Sequence, residues 1–339
     1  MDAVADSVNV AGIPMQLRDI RQADEQALIA LHNLVFETGV NSTWFGWKYI
    51  AGQGRGVGLW LNNEMLAFCG GIPRKFCLQN TGHSYLQIGD VMVRPDWRGV
   101  LTRHGPFFHV SRSFYSSQIG VDKSFEVGFG FPSARHLRLA DHLQLLEQVG
   151  EMHELGWHRS ASGSVPAPST RPWGWRCTPF HLDGTDASAD VNRCWRQMKA
   201  DMPDMLVGER DASYLRWRYQ QRPEVQHVYF SIKRPWQYQP AGIAVMRYLE
   251  DGESVRWLDW IGKPAELPTA AALCWQALQS AGKKTMLLWA SSMVADQLRQ
   301  VANTHQFVTP IGAPRESLLT YTTAGHVPWW FMGGDTDFL

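Results

Sequence analysis

The chain has 339 residues, 45% of them apolar and 19% charged, which fits a folded protein with two domains rather than a disordered chain. Thirty-two basic residues balance thirty-two acidic ones, so no general electrostatic case exists for DNA or an anionic membrane as partner. Five scattered cysteines form no CxxC pair, which argues against a disulfide framework and against a zinc site. The first residues carry acids and no long apolar core, and no run is long enough to span a membrane, so a cytoplasmic protein without membrane insertion is expected.

Residues 1–14 read as a flexible tail and 15–20 as a first strand. Asp24 then stands where it could cap a helix whose face carries Leu28, Leu31 and Val35, with Gly39 ending it. Trp44, Trp47 and Tyr49 follow, as core packing or as one wall of a pocket. The glycines at 52, 54, 56 and 58 mark a loop. They precede a strand rather than a helix, so a nucleotide phosphate loop is rejected there. Residues 58–61 and 65–70 flank Asn62-Asn63-Glu64 as a hairpin, and 79–82 form another turn.

The stretch 88–117 then organises the chain. Its apolar start reads as a buried strand that Pro95 must end, because proline cannot donate to a ladder. Arg98, Gly99, Thr102, Arg103, His104 and Gly105 form a loop rich in donors, and Pro106 suits the first position of a helix with Phe107, Val110 and Phe114 on one face. A helix N-terminus below such a loop is an anion site, with phosphate or pyrophosphate as the natural ligand.

Residues 124–131 read as the next strand, ended by Pro132, with Ser133 opening a helix through His142. Asp90 and Glu126 are carboxylates in otherwise apolar strands, where they must be paired, neutral or functional. Residues 149–157 close this half, and the Ser- and Pro-rich stretch 160–172 reads as a linker. The second half repeats the first at a period of 160–170 residues: helix, aromatic motif (Tyr214 to Tyr219), two strands, a strand at 254–261, helix, strand, Ser291-Ser292 and a helix. At the loop position it carries Lys263-Pro264 and Glu266, which deny amides and repel phosphate. Residues 328–339 read as a docked aromatic segment rather than a free tail.

The pattern Val91-x-Val93-x-Pro95-x-Trp97-Arg98-Gly99 followed by a helix resembles the acyl-CoA loop of the GCN5-related N-acetyltransferases. That resemblance implies two tandem α/β domains, each a mostly antiparallel mixed sheet flanked by helices: 15–159 with the acyl-CoA loop and 173–339 without one. It implies acetyl-CoA as acyl donor, no metal, and an amine of a small molecule, sugar or peptide as acceptor. Met92 and Val93 would pair with the pantetheine arm. Arg98, Gly99, Thr102, Arg103, His104, Gly105 and Ser133 would hold the rest of the cofactor. The later glycines of the family loop fall here on Leu101 and Arg103, and Leu137 stands at or next to the family's tyrosine, with His136 beside it as the available proton donor. Asp90 and Glu126 are the candidate bases. A degenerate binding or scaffold module and a transferase drawing on aminoacyl-tRNA are the alternatives, and a homodimer is left open.

Overall fold

The computed structural model describes residues 6–99, 104–159, 173–317 and 327–336. The stretch expected as a linker, 160–172, lies outside them. The chain forms two compact units that do not follow a single cut in the sequence. Unit 1 holds Met1–Arg74, Ser84–Val149 and Pro310–His326; unit 2 holds Lys75–His83, Gly150–Thr309 and Val327–Leu339.

In the first half, β1 (Asp6–Val10), β2 (Ile13–Asp19), β3 (Arg55–Leu61), β4 (Glu64–Leu78), β5 (Thr81–Val93) and β6 (Val127–Phe129) lie in that order in one sheet. Helices α1 (Glu25–Phe36), α2 (Ser42–Phe45), α3 (Pro106–Gln118) and α4 (Ala134–His142) belong to this half. β7 (Leu146–His158), expected to close it, instead joins the second sheet, where it pairs antiparallel with the strand Thr285–Ser291. The expected tail departs from this structure. Residues 6–10 form β1 because Ala11 and Gly12 turn the chain with positive φ and the Asn9 side chain accepts from the Gly12 N–H at 2.8 Å. Val10 is then fully buried against the sheet.

Asp24 is the second departure. Its carboxylate makes no cap for α1; it accepts from the Arg21 N–H at 2.8 Å and from the Arg18 guanidinium at 2.7 and 2.9 Å. The helix ends at Phe36, before Gly39, with Glu37 in the left-handed conformation. Leu28 and Leu31 are buried as their spacing requires. Strand β3 begins at Arg55, so Gly56 and Gly58 are strand residues and not loop. At Gly56 a Cβ would stand 2.2 Å from the Phe68 ring, so the glycine makes room for the aromatic. Asn62 and Asn63 both have positive φ, as a tight two-residue hairpin turn demands, and Gln79 and Asn80 repeat this at the β4–β5 turn.

The second half holds β8 (Arg176–Phe180), α5 (Ala187–Ala200), β9 (Leu206–Gly208), α6 (Ala212–Leu215), β10 (Val228–Lys233), β11 (Gly242–Tyr248), β12 (Ser254–Gly262), α7 (Leu267–Ser280), β13 (Thr285–Ser291), α8 (Ser292–Leu298), β14 (Thr304–Pro314) and β15 (Trp329–Trp330). The order β3–β4–β5–α3–β6–α4 recurs as β10–β11–β12–α7–β13–α8. Even the aromatic motifs match, because Gly46–Ala51 and Arg216–Gln220 are both π-helical turns. In each copy the central strand pairs in parallel with the next: β5 with β6, and β12 with β13.

Candidate active site

The parallel ladder of β5 and β6 is short. Tyr85 pairs with Val127 and Gln87 with Phe129, and there the ladder stops. Gly130 instead exchanges two 2.9 Å backbone bonds with Gly312. The expected strand over 124–131 is therefore reduced to three residues, since its end turns to a different partner. A Cβ on Gly130 would stand 3.1 Å from the Ile88 carbonyl oxygen, and Pro132 has no N–H, so the chain can leave β5 closely and without a stranded donor.

Met92 and Val93 lie on β5 beyond this divergence. The Met92 side chain is buried among Leu28, Phe45, Tyr49 and Phe68, so this residue offers only backbone to a ligand. At the strand end the Val93 carbonyl accepts from Arg98 Nε at 2.9 Å, which holds the guanidinium beside β5. Gly99 has φ +78°, a conformation that favours glycine. Thr102 and Arg103 lie outside the described residues, with Val100 and Leu101. Gly105 precedes α3 in extended conformation and Pro106 takes the first helical position, as its missing N–H favours. The His104 ring stacks on Phe108 at 4.1 Å.

Helix α4 starts beside this N-terminus. The Ser133 hydroxyl accepts from the His136 N–H at 3.2 Å and caps the helix. The His136 ring meets Phe107, in the first turn of α3, edge to face at 4.9 Å. Burial lowers the pKa of His136, and its Nε2 is covered and has no hydrogen-bond partner. His109, lowered by burial and by nearby His104, also has a covered Nε2 without a partner. Leu137, by contrast, is a core residue.

Asp90 interrupts β5 with φ +52°, a left-handed conformation that Asp tolerates better than most residues. Its carboxylate accepts from the Tyr49 hydroxyl at 2.6 Å, pairs with Lys48 at 2.7 Å, and lies 3.8 Å from His32 Nε2. The π-helical turn aims the consecutive Lys48 and Tyr49 at the same carboxylate; such turns recur at functional sites. Trp44 packs on His32 at 4.6 Å, and the Lys48 ammonium lies 5.5 Å from the Trp44 ring. Glu126 is not part of this group. Its N–H bonds to the Ser84 carbonyl, six residues before Asp90 on the neighbouring strand, a separation of roughly 20 Å along β5. The two carboxylates expected to act together are thus apart. Lys48 and His32 were not singled out from the sequence; the available signal was the cation-tyrosine step that both copies share, Lys48-Tyr49 and Arg218-Tyr219.

In unit 2 the same place is built and then filled. Asp259 on β12 accepts from Tyr219 at 2.8 Å and from Arg210 at 2.7 Å, and Arg210 also donates to Asp335 at 2.6 Å. Asp335 belongs to the C-terminal segment. Along that segment Met332 bridges to Ala290, the Ser291 N–H donates to Phe331 at 3.0 Å, and the Ser291 hydroxyl donates to the Trp329 carbonyl at 2.6 Å. Trp329, Trp330, Phe331 and Met332 are all buried. A Cβ on Gly334 would lie 1.9 Å from the Tyr219 hydroxyl, so the segment closes over the second carboxylate only with glycine there. Glu266, at the loop position, is paired with Arg234.

Among the described residues no group of three or more His, Cys, Asp and Glu side chains is placed to hold a metal ion, and no helix is long and apolar enough to cross a membrane. No family model matches the sequence, and no curated protein matches it. Solved structures do match. A conserved protein of unknown function from Enterococcus faecalis, a probable N-acyltransferase, superposes with a TM-score of 0.66 at 10% identity, over 88% of this chain and 72% of that one. A GCN5-related N-acetyltransferase from Anabaena variabilis gives 0.63 at 12% identity, over 90% and 73%. Saccharomyces cerevisiae N-myristoyltransferase with bound myristoyl-CoA and inhibitors gives 0.53 at 9% identity, over 92% and 82%. The divergent parallel strands, the helix that follows them and these superpositions define a tandem fold of the GCN5-related N-acetyltransferase type. At such identities the likeness is one of fold.

Proposed function

We propose that the protein is an acyl-CoA-dependent N-acyltransferase that works through unit 1. The observation that carries this reading is the divergence of β5 and β6 beside the N-terminus of α3, at a place where unit 2 is filled by its own chain. Bound acyl-CoA would supply an activated thioester, with acetyl the simplest acyl group and a longer chain the variant that the myristoyltransferase likeness raises.

The residues present fit that donor. Arg98 and the α3 N-terminus present positive charge to a pyrophosphate, and the His104 ring beside them offers a hydrogen-bonding nitrogen. Gly99 lets the loop turn, Ser133 fixes the start of α4, and the backbone of Met92 and Val93 is the edge that an extended pantetheine arm would pair with. Asp90 takes the proton that an acceptor ammonium must lose before its nitrogen can attack, and Lys48, Tyr49 and His32 hold that carboxylate in place. Once it has attacked, the nitrogen must lose one further proton; His136, neutral through burial and with its unpartnered Nε2 between α3 and α4, takes that proton up and passes it to the leaving sulfur, the role that Leu137 cannot play. Glu126 sits at the closed end of the strand pair, too distant to share the proton with Asp90. The acceptor is an amine of a small molecule, sugar or peptide.

Calorimetric titration with acetyl-CoA, myristoyl-CoA and free coenzyme A tests the reading, alongside an Arg98→Ala, His104→Ala variant. Micromolar binding weakened tenfold or more by the double substitution supports it (about 1.4 kcal/mol per tenfold). Failure of all three to bind overturns it and leaves the scaffold alternative.

A further inference from the structure

Unit 2 carries an aromatic surface that acyl transfer does not use. Trp173, Trp236 and Tyr238 are 77%, 87% and 93% exposed. Indoles this exposed are unusual, since tryptophan is highly buried on average. The strands bring the two indoles together. In the antiparallel pair of β8 and β10, Arg176 stands opposite Lys233. Three residues beyond that pair on each chain, Trp173 and Trp236 face each other with ring centroids 6.0 Å apart. Gly174, at φ +77°, lies so close to Pro235 that a Cβ would stand 2.9 Å from its side chain.

The turn that presents Trp236 is strained. Gln237 donates its N–H to the Arg234 carbonyl at 3.2 Å, with Pro235 and Trp236 as the two central residues. Trp236 has φ +63° at the position where such a turn favours glycine. Strained backbone that holds a bulky side chain out into solvent is found at binding sites. A cleft of about 560 Å³ lies beside this turn, and its walls include Arg193, Gln197, Gln237, Tyr238 and Gln239. Its cations are already engaged: Arg193 by Asp190 and the Pro240 carbonyl, Arg234 by Glu266. What remains for a ligand is three aromatic rings and three primary amides.

We propose that this surface binds a neutral polysaccharide chain. The C–H face of a sugar ring stacks on an indole or phenol, and primary amides match its hydroxyls as donor and acceptor at once. Both arginines of the cleft are paired, so neither is free for the phosphate or sulfate of a charged glycan or lipid. Arg176 and Lys233 flank the indoles, and the vesicle measurement below separates a neutral glycan from an anionic surface. The site does not depend on the acyltransferase reading, because it lies in unit 2 and uses none of the residues assigned to acyl transfer.

Affinity electrophoresis of the full chain through gels carrying a soluble neutral glucan, xylan or mannan tests the proposal, with Trp236→Gly and Tyr238→Ala as variants. Retardation by at least one glycan is expected, with a tenfold or greater loss of affinity in Trp236→Gly. That variant should unfold at the same temperature as the wild type or a few degrees above it, because glycine relieves the turn, so lost binding could not be ascribed to lost folding. Acetyl-CoA titration should be unchanged in both variants. Absence of retardation in all three gels overturns the proposal, as does equal retardation of wild type and variants. Preferential capture of the wild type by phosphatidylglycerol vesicles would also overturn it, in favour of a membrane surface.

Discussion

The Tyr49 hydroxyl donates to the Asp90 carboxylate at 2.6 Å, and about 170 residues later Tyr219 donates to Asp259 at 2.8 Å. In both copies the tyrosine comes from a π-helical turn and the carboxylate from the central strand. The cation differs in origin: Lys48 sits next to its tyrosine, whereas Arg210 comes from a separate stretch and joins a second carboxylate, Asp335. One design thus appears twice, with Lys48 as its cation in the first copy and as a clamp on the C-terminal segment in the second.

Asp90→Asn removes the proposed base and leaves the nearly buried Lys48 ammonium without its carboxylate. A drop in kcat of roughly 10²- to 10⁴-fold is expected, with a stability loss on the order of 3 kcal/mol. The double variant Lys48→Met, Asp90→Asn separates the two effects. Denaturant melts should show most of the stability regained, while acyl transfer stays lost. If activity returned with stability, Asp90 would be structural.

Arg210→Met leaves Asp259 and Asp335 facing one another inside unit 2 with no cation between them. Breaking a buried pair in this way costs about 3–5 kcal/mol. Burial and the neighbouring Asp335 already raise the Asp259 pKa, against the opposing charge of Arg210. The deficit of the variant should therefore shrink as pH falls and Asp259 takes up a proton. Urea unfolding at neutral and acid pH reads both effects.

Gly334→Ala puts a methyl group against the Tyr219 hydroxyl and within 3.0 Å of the Leu258 carbonyl oxygen. A destabilisation of about 1–3 kcal/mol is expected from overpacking. Because Gly334 lies in the C-terminal segment, limited proteolysis should cut nearest 327–336 first. An unchanged digestion pattern would mean that the segment tolerates displacement.

His227 makes the fold acid-sensitive. Burial lowers its pKa to about 3, with Arg222, Arg218 and Arg247 adding to the effect and the hydrogen bond to the Tyr219 carbonyl opposing it. The folded-state value lies below the unfolded one, so the unfolded chain binds the proton more readily. The stability that His227 contributes is complete above an unfolded pKa of about 6.5 and is lost as pH falls towards 3. The loss should be on the order of 5 kcal/mol. His227→Gln should flatten the stability profile over that window and leave it unchanged above neutrality.

Much of the fold was legible where a residue constrains its own backbone. Pro95 ends β5 within two residues of the expected place, Pro106 opens α3, Asn62-Asn63 makes the first hairpin, and Ser133 caps α4. The repeat was legible because two sets of apolar and aromatic positions recur in the same order. The misses fall where a distant partner decides. Residues 6–10 have a weak strand pattern by themselves and become β1 through pairing with β2. Asp24 could have capped α1, but Arg18 and the Arg21 amide compete for the same carboxylate. Asp90 and Glu126 both read as carboxylates in apolar strands, and only the register of β5 on β6 shows that they are far apart.

The amino-acid sequence alone thus determined the repeated element order strand, strand, strand, helix, strand, helix in both halves, the duplication and the likeness of 88–117 to an acyl-CoA loop. These depend on short-range sterics, hydrogen-bond capacity and the periodicity of apolar side chains, which act within a few residues of chain. Tertiary structure decided which side chains meet Asp90, how segments from both halves of the sequence share the two units, and that the C-terminal segment closes over Asp259. Each of these pairs residues tens to hundreds of positions apart. Their energies come from burial and geometry that exist only once the chain has folded, so no local pattern announces them.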